Sequence, residues 1–208
     1  SQNELDEIEA GREALTPHVG SGAWTQLIRD RNTLILAAAY FAENFIFYLF
    51  FTWFFHYLVS ELGFSILETG FLASLPWLCG AVMASVGGYL CDTLCAKFGP
   101  RLGCRVPAIT GLVGAGIFLH LGLYSSSPYV AVVLLSLCFA STQFTEGAYW
   151  SAQTYVAGPY TAPACGVMNT GGNLAGIVVA PLMPFLAGHI GWVTALSTGS
   201  IMAFVGAA

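Results

Sequence analysis

Six apolar segments, each about as long as a membrane-spanning helix, constrain the fold of this chain more than any other feature. An α-helix needs about 20 mostly apolar residues to cross the hydrocarbon core of a bilayer. The segments lie at residues 34–58, 69–91, 106–124, 129–156, 164–188 and 192–208. Only 8% of the 208 residues are charged, whereas soluble domains carry about a quarter. The sequence therefore predicts an all-α integral membrane protein with six transmembrane helices, the last of them truncated.

The segment ahead of the first apolar run is polar and is predicted to lie outside the membrane. Its first thirteen residues hold five of the 11 acidic residues of the chain. Between Trp24 and Arg31, apolar residues precede a charged cluster, a pattern typical of a short helix lying on the membrane surface. We therefore expect a loop segment at residues 1–32 and a transmembrane domain at residues 33–208.

The basic residues predict the orientation of the chain in the membrane. They all precede the first apolar segment or lie between the second and the third: Arg12, Arg29, Arg31, Lys97, Arg101 and Arg105. An even number of spans separates the two groups, so both lie on the same side of the bilayer. The positive-inside rule makes this side, and with it the N-terminus, cytoplasmic. No basic stripe suggests nucleic acid as a partner.

The fifth apolar segment carries a polar face that suits a solute pathway. Asn169 and Asn173 are four residues apart and project from one helical face, beside a stripe of small residues at Gly172 and Gly176. Small residues let helices in a bilayer pack closely, and amides are tolerated where they face protein or a water-filled cavity. The alternative is that both amides are hydrogen-bonding contacts between packed helices.

The fourth apolar segment presents Gln143, Glu146, Trp150 and Gln153 along one helical face. An ionised carboxylate at Glu146 would cost at least a few kcal/mol if it faced lipid. The side chain must therefore face a cavity, pair with a cation or carry a proton. A proton-carrying role in the pathway and a structural hydrogen bond to a neighbouring helix are both compatible with this position.

The first apolar segment has a stripe of polar side chains spaced four residues apart. Tyr40, Asn44, Tyr48 and Thr52 form this stripe, and Glu43 lies just beside it. Phenol, amide and hydroxyl groups suit the hydroxyls and carboxylates of a small polar solute. The alternative is a well-packed aromatic helix without a binding role.

Charged residues flank the connection between the second and third apolar segments. Asp92 ends one segment, and Arg101 and Arg105 precede the next. These charges predict either a latch at the membrane surface that breaks and re-forms as helices rock, or solvated side chains that obey the positive-inside rule.

The cysteines give no recognisable metal motif. They lie at Cys79, Cys91, Cys95, Cys104, Cys138 and Cys165. Three of them fall near one connection, but their spacing matches no zinc motif and no histidine is close to them in sequence. We interpret them as small apolar residues and expect no metal and no cofactor.

Several runs of the sequence resemble a known family. Gly88-x-Leu90-x-Asp92, followed by arginines, is similar to the signature loop of the major facilitator superfamily. Within it, residues 40–58, residues 70–92, the run EGAYW at 146–150 and the run NTGGNLAGIVVAP at 169–181 most resemble the anion:cation symporters. Thr93 stands where the signature loop often has a basic residue.

The resemblance implies that the chain is the C-terminal half of a twelve-helix fold and holds spans seven to twelve. The substrate-facing positions implied by this similarity are Asn44, Tyr48, Trp150 and Asn169. Asp92, Arg101 and Arg105 would form the gating loop. In this family the main proton-coupling carboxylates lie in the N-terminal half, so Glu146 is not expected to be the principal coupling residue.

The expected function is secondary active transport of a small organic anion, such as a hexonate, hexuronate or aldarate, together with a proton. Transport would proceed by alternating access in a bacterial inner membrane. The expected partners are the anion, the proton, the lipid bilayer and the N-terminal six-helix half of the same polypeptide. Two alternatives remain: an independent six-span protein acting as an oligomer or receptor, and a membrane-embedded enzyme.

Overall fold

The computed structural model describes residues 27–208, and these residues form helices connected by short turns. The helices are α1 (Arg31–Ser60), α2 (Ile66–Leu72), α3 (Leu75–Phe98), α4 (Pro100–Leu123), α5 (Pro128–Ala157), α6 (Thr161–Ile190) and α7 (Trp192–Ala207). A single 3₁₀ turn, Gly158–Tyr160, joins α5 to α6. No strand occurs among the described residues. The all-α class predicted from the apolar segments is confirmed.

The predicted features of the first 26 residues lie outside the described part of the chain. They comprise most of the polar segment at 1–32, Arg12 and the Trp24 end of the surface helix. At the start of α1, the Thr33 amide donates a hydrogen bond of 2.8 Å to the Asp30 carboxylate. Asp30 is therefore the N-cap of α1.

Four helical stretches in the described part are long and apolar enough to cross a membrane. They are Arg31–Ser60, Ile66–Phe98, Pro100–Leu123 and Pro128–Ile190. The last combines α5 and α6, each of 30 residues; they contact each other and are separated by the 3₁₀ turn. Trp192–Ala207 is a shorter apolar helix. Long apolar helices of this kind support the prediction of an integral membrane protein.

The second apolar segment, which the sequence predicts as one span, is broken into α2 and α3. Pro76 lies in the first turn of α3, where it has no amide to donate and its ring would clash with the carbonyl four residues earlier. The chain therefore turns at residues 73–74, and the Ser74 hydroxyl donates to the Phe71 carbonyl at 2.7 Å.

The connection between α3 and α4 is a single residue, Gly99, whose φ is 83°. This left-handed conformation favours glycine because a side chain would clash with the backbone. Both helices extend into the predicted loop. Asp92 therefore lies within α3, and Arg101 and Arg105 lie within α4.

The core of the bundle surrounds α1, which packs against α5, α6 and α7. The largest buried cluster joins aromatic and aliphatic side chains of these helices and α4, among them Ile46, Tyr57, Leu119, Phe139 and Met183. Many large apolar side chains on the outside are exposed, as expected of a surface in contact with lipid. The polar stripe of α1 lies on the same helix as this core, facing α5 and α6.

Candidate functional site

A carboxylate on α5 is hydrogen-bonded to α1 and to its own helix. The Tyr40 hydroxyl donates to both oxygens of Glu146, at 3.2 and 3.3 Å. The Trp150 indole N–H donates to Glu146 Oε2 at 2.8 Å. The rings of Tyr40 and Trp150 meet edge to face, with centroids 6.1 Å apart. Glu146 therefore faces protein, as expected from the free-energy cost of exposing an ionised carboxylate to lipid.

A second contact joins the polar stripe of α1 to α6. The Tyr48 hydroxyl donates to Asn173 Oδ1 at 2.7 Å. The amide nitrogen of Asn173 donates in turn to the Asn169 carbonyl at 2.8 Å. Asn173 thus contacts α1, and the side chains of both asparagines in this segment are exposed.

Glu43 is a second acidic residue in this region. It is 0% exposed, and its Oε2 accepts a hydrogen bond of 2.9 Å from the Asn44 side chain. Asn44 also donates to the Tyr40 carbonyl at 3.0 Å. Glu43 Oε1 is buried without a hydrogen-bond partner among the described residues. Asn44 thus contacts both Glu43 and the backbone of Tyr40, the residue that donates to Glu146.

Sequence reasoning placed Glu43 beside the polar stripe but did not include it among the site residues. The available signal was an acidic residue inside an apolar span, which is expected to face protein or a cavity. Its i, i+4 neighbours are apolar, so the periodicity that identified the stripe did not select it.

The two acidic residues have no basic residue close to them in sequence. All six lysines and arginines precede residue 32 or lie between residues 97 and 105. None lies in α5 or α6, and in α1 the only one is the first residue, Arg31. Burial of an ionised carboxylate without a cation is costly. A proton, or a cation from elsewhere, is therefore needed to stabilise Glu43.

Gly172 and Gly176 let α6 approach these side chains closely. A Cβ atom at Gly172 would lie 2.7 Å from the Tyr40 ring and 2.8 Å from the Asn44 amide nitrogen. A Cβ atom at Gly176 would lie 2.8 Å from the Tyr48 ring. Contacts this short do not occur between real side chains, so an alanine at either position would displace α6 from α1.

The two glutamines of the α5 face contact different neighbours. Gln153 is buried and its Nε2 donates to the Thr33 hydroxyl at 3.3 Å. Gln143 packs against Gly80 of α3, and its Nε2 is buried without a partner among the described residues. Neither glutamine hydrogen-bonds to Glu146, so only part of the predicted α5 face belongs to the cluster with Tyr40.

The charged residues near the α3–α4 turn are exposed. Asp92, Arg101 and Arg105 all project from the surface, and the described residues show no ion pair between Asp92 and either arginine. The latch therefore stays a prediction.

Comparison with known proteins identifies the family. The Major Facilitator Superfamily matches residues 2–141 of the chain. The chain belongs to this superfamily. The resemblance of the Asp92 segment predicts this membership, and the prediction is confirmed.

Curated relatives of this superfamily protein are named as anion or sugar-acid transporters. The probable galactarate/D-glucarate transporter GudP of Bacillus subtilis is 35% identical over 88% of this chain and 39% of its own length. The hexuronate transporter of Bacillus subtilis is 28% identical over 80% of the chain and 40% of its length. The sodium-dependent phosphate transport protein 1 of Arabidopsis thaliana chloroplasts is 26% identical over 84% of this chain and 34% of its own length. The chain thus spans between about a third and two fifths of the length of these three relatives.

Proposed function

We propose that this chain is the C-terminal six-helix half of a secondary active transporter that carries a small organic anion together with a proton. Membership of the major facilitator superfamily and the names of its relatives support a transporter of anions. The matched fraction of those relatives supports the assignment to one half. The distribution of basic residues supports a cytoplasmic N-terminus, and the bacterial relatives support a location in a bacterial inner membrane.

The observation that carries the proposal is the hydrogen-bonded group that links α1 to α5 and α6. Tyr40 contacts Glu146, and Tyr48 contacts Asn173. Transporters of this architecture bind their solute near the midplane between two halves, which then rock about it. Such a mechanism requires a polar group on a helix that faces the other half, and we propose that α1 is this helix.

The residues at the open edge of this group are proposed to bind the anion. Trp150 is 39% exposed, and Asn169 is exposed on α6. The indole face offers an apolar surface to the carbon skeleton, while the Asn169 amide can donate to a carboxylate and accept from a hydroxyl. Asn44 and Tyr48 lie deeper, where a hydroxyl of the solute can replace their present partners.

The acidic residues are proposed to make binding of the anion dependent on a proton. An ionised Glu146 beside the Trp150 indole would repel an approaching carboxylate, whereas a protonated one would donate a hydrogen bond to it. Solute and proton then favour the same state, which is the thermodynamic requirement for coupling. The principal coupling carboxylates of the family are expected in the N-terminal half, so Glu146 supports the coupling rather than generating it alone.

Asp92, Arg101 and Arg105 are proposed to form the gate on the cytoplasmic side. All three are exposed on either side of the sharp turn at Gly99. A shift of α3 against α4 would bring opposite charges together and stabilise the closed state. Asp92 would then pair with an arginine when the cytoplasmic side is closed and separate from it when that side is open to the solute.

Uptake into membrane vesicles tests this function. Vesicles containing the full-length protein are given labelled hexonates, hexuronates, aldarates and phosphate, with and without an inward proton gradient, and protein-free vesicles serve as the control. Accumulation of one anion only with the gradient is the expected result. Uptake driven equally well by sodium, or no uptake of any anion, would contradict proton symport. Recovery of a chemically altered solute would instead indicate an enzyme.

A further inference from the structure

Three cysteines that the proposed transport mechanism does not use meet where α3 ends and α4 begins. The sulfur atoms of Cys91 and Cys95 lie 4.0 Å apart, those of Cys91 and Cys104 3.9 Å, and those of Cys95 and Cys104 3.7 Å. All three are free thiols. We refer to them as the three-cysteine cluster.

The turn at Gly99 brings the cluster together. Cys91 and Cys95 are one helical turn apart on α3, so their side chains share a face. The one-residue connection then returns the chain directly, and Cys104 in the second turn of α4 meets that face. Cys91 is 0% exposed and Cys104 is 6% exposed, while Cys95 is half-buried.

The sulfur triangle has the size of a three-coordinate metal site. In a near-equilateral triangle, the distance from the centre to each corner equals the edge length divided by √3. For the three sulfur atoms this distance is about 2.2 Å, close to the length of a metal–thiolate bond, which is about 2.3 Å. Structural zinc takes four ligands, whereas the group of ligand atoms found here among the described residues contains only these three. Soft thiolates select monovalent copper, zinc or iron–sulfur clusters. We propose that the three-cysteine cluster binds one soft thiophilic metal ion, with monovalent copper as the best match.

The surroundings of the three-cysteine cluster give a metal ion access to it and compensate the negative charge of its thiolates. Cys104 borders a cavity of about 540 Å³ that is also lined by Arg101 and Arg105. Three thiolates and one monovalent ion carry a net charge of about −2, which nearby guanidinium groups stabilise. In the proposed orientation, with the basic residues on the cytoplasmic side, the cluster lies where thiols stay reduced and available to a metal.

Bound metal would fix the ends of α3 and α4 to each other. The ion would hold Cys95 and Cys104 at either side of the Gly99 turn, next to Arg101 and Arg105. The exposed charges of the proposed gate would then keep their present separation. The metal site itself does not depend on which anion is carried, nor on whether the chain transports one.

Metal binding by the full-length protein tests the inference. The reduced protein in detergent, under anaerobic conditions, is titrated with monovalent copper in competition with a coloured chelator of that ion. One copper ion per chain is expected. Changes outside the first coordination sphere already weaken metal sites by about 10- to 100-fold, so Cys104→Ser is expected to lower affinity by more than about 100-fold. Cys165→Ser and Cys79→Ser, which alter free cysteines outside the cluster, are the matched controls and should bind normally.

X-ray absorption on the copper-loaded wild-type protein decides the question even if a variant does not fold. Three sulfur atoms at about 2.2–2.3 Å from copper are expected. Two sulfur ligands, a coordination shell of nitrogen or oxygen, or equal copper affinity in the Cys104→Ser protein would overturn the proposal. The cluster would then be three packed thiols without a metal function.

Discussion

The Tyr40 hydroxyl donates to both carboxylate oxygens of Glu146, at 3.2 and 3.3 Å, and so joins the first described helix to the fifth. The same ring packs against Tyr149, with centroids 5.3 Å apart. Tyr40 therefore couples the aromatic packing between α1 and α5 to the hydrogen bonding of a carboxyl group inside the bundle. Loss of its hydroxyl affects the carboxyl group while leaving the ring in place.

Tyr40→Phe is expected to destabilise the protein by about 1–3 kcal/mol, because Glu146 loses a hydrogen-bond donor in a partly buried position. The measurement is the thermal unfolding midpoint in detergent. Tyr149→Phe is the matched control, since its hydroxyl makes only a 3.4 Å contact to the Ala39 carbonyl. An equal decrease in unfolding midpoint for the two substitutions would show that the hydrogen bond from Tyr40 to Glu146 does not stabilise the protein more than the contact of Tyr149 does.

Glu146→Gln is expected to make anion binding less dependent on pH. If Glu146 must carry a proton for the anion to bind, wild-type affinity falls as pH rises, because the ionised carboxylate repels the anion. Glutamine stays neutral at every pH, so the variant should retain affinity where the wild type has lost it. The measurement is the dissociation constant of the transported anion at a series of pH values, without a gradient.

Glu61→Gln controls for a general effect of removing an acidic side chain, because Glu61 is exposed at the end of α1. Its pH profile should match that of the wild type. A Glu146→Gln profile as steep as the wild-type one would assign the proton dependence to other groups. Those groups would then be sought first at Glu43 and in the N-terminal half.

The sequence was sufficient to predict the class of fold and most helix positions, since apolar runs of membrane-spanning length leave the backbone few other structures. It was not sufficient for the ends of the helices around Gly99. A run of charged residues predicts a loop, yet α3 and α4 continue through these residues, and Gly99 alone reverses the direction of the chain. The turn at residues 73–74 depends on one ring, that of Pro76, in an otherwise apolar run, and the sequence does not predict it.

The polar stripe of α1 could be predicted because residues four apart share a helical face. Which helix each side chain meets could not, since this depends on the packing of helices distant in sequence. Tyr48 meets Asn173 and Tyr40 meets Glu146 across separations of more than 100 residues. The cysteines show the same limit, because Cys104 joins Cys91 and Cys95 only after the helices fold against each other.

Asn169→Ala is expected to abolish uptake without loss of folded protein. The side chain is exposed on α6, so its removal costs little packing while it takes away a proposed donor to the anion. The measurement is initial uptake rate together with the amount of monodisperse protein. Thr170→Ala is the control, because its hydroxyl donates to the Gly166 carbonyl of its own helix. Unchanged uptake kinetics in Asn169→Ala would remove Asn169 from the binding site.

Gly176→Ala is expected to destabilise the bundle by about 1–3 kcal/mol, the usual cost of adding a methyl group to a closely packed site. The new Cβ would lie 2.8 Å from the Tyr48 ring, so α6 must shift or the hydrogen bond to Asn173 must lengthen. Gly188→Ala on the same helix is the matched control. A Cβ there meets nothing within 4 Å, and alanine favours a helix over glycine by up to about 1 kcal/mol. Thermal unfolding should therefore shift down for Gly176→Ala and stay level or rise for Gly188→Ala; equal shifts would contradict the close approach of α6 to Tyr48.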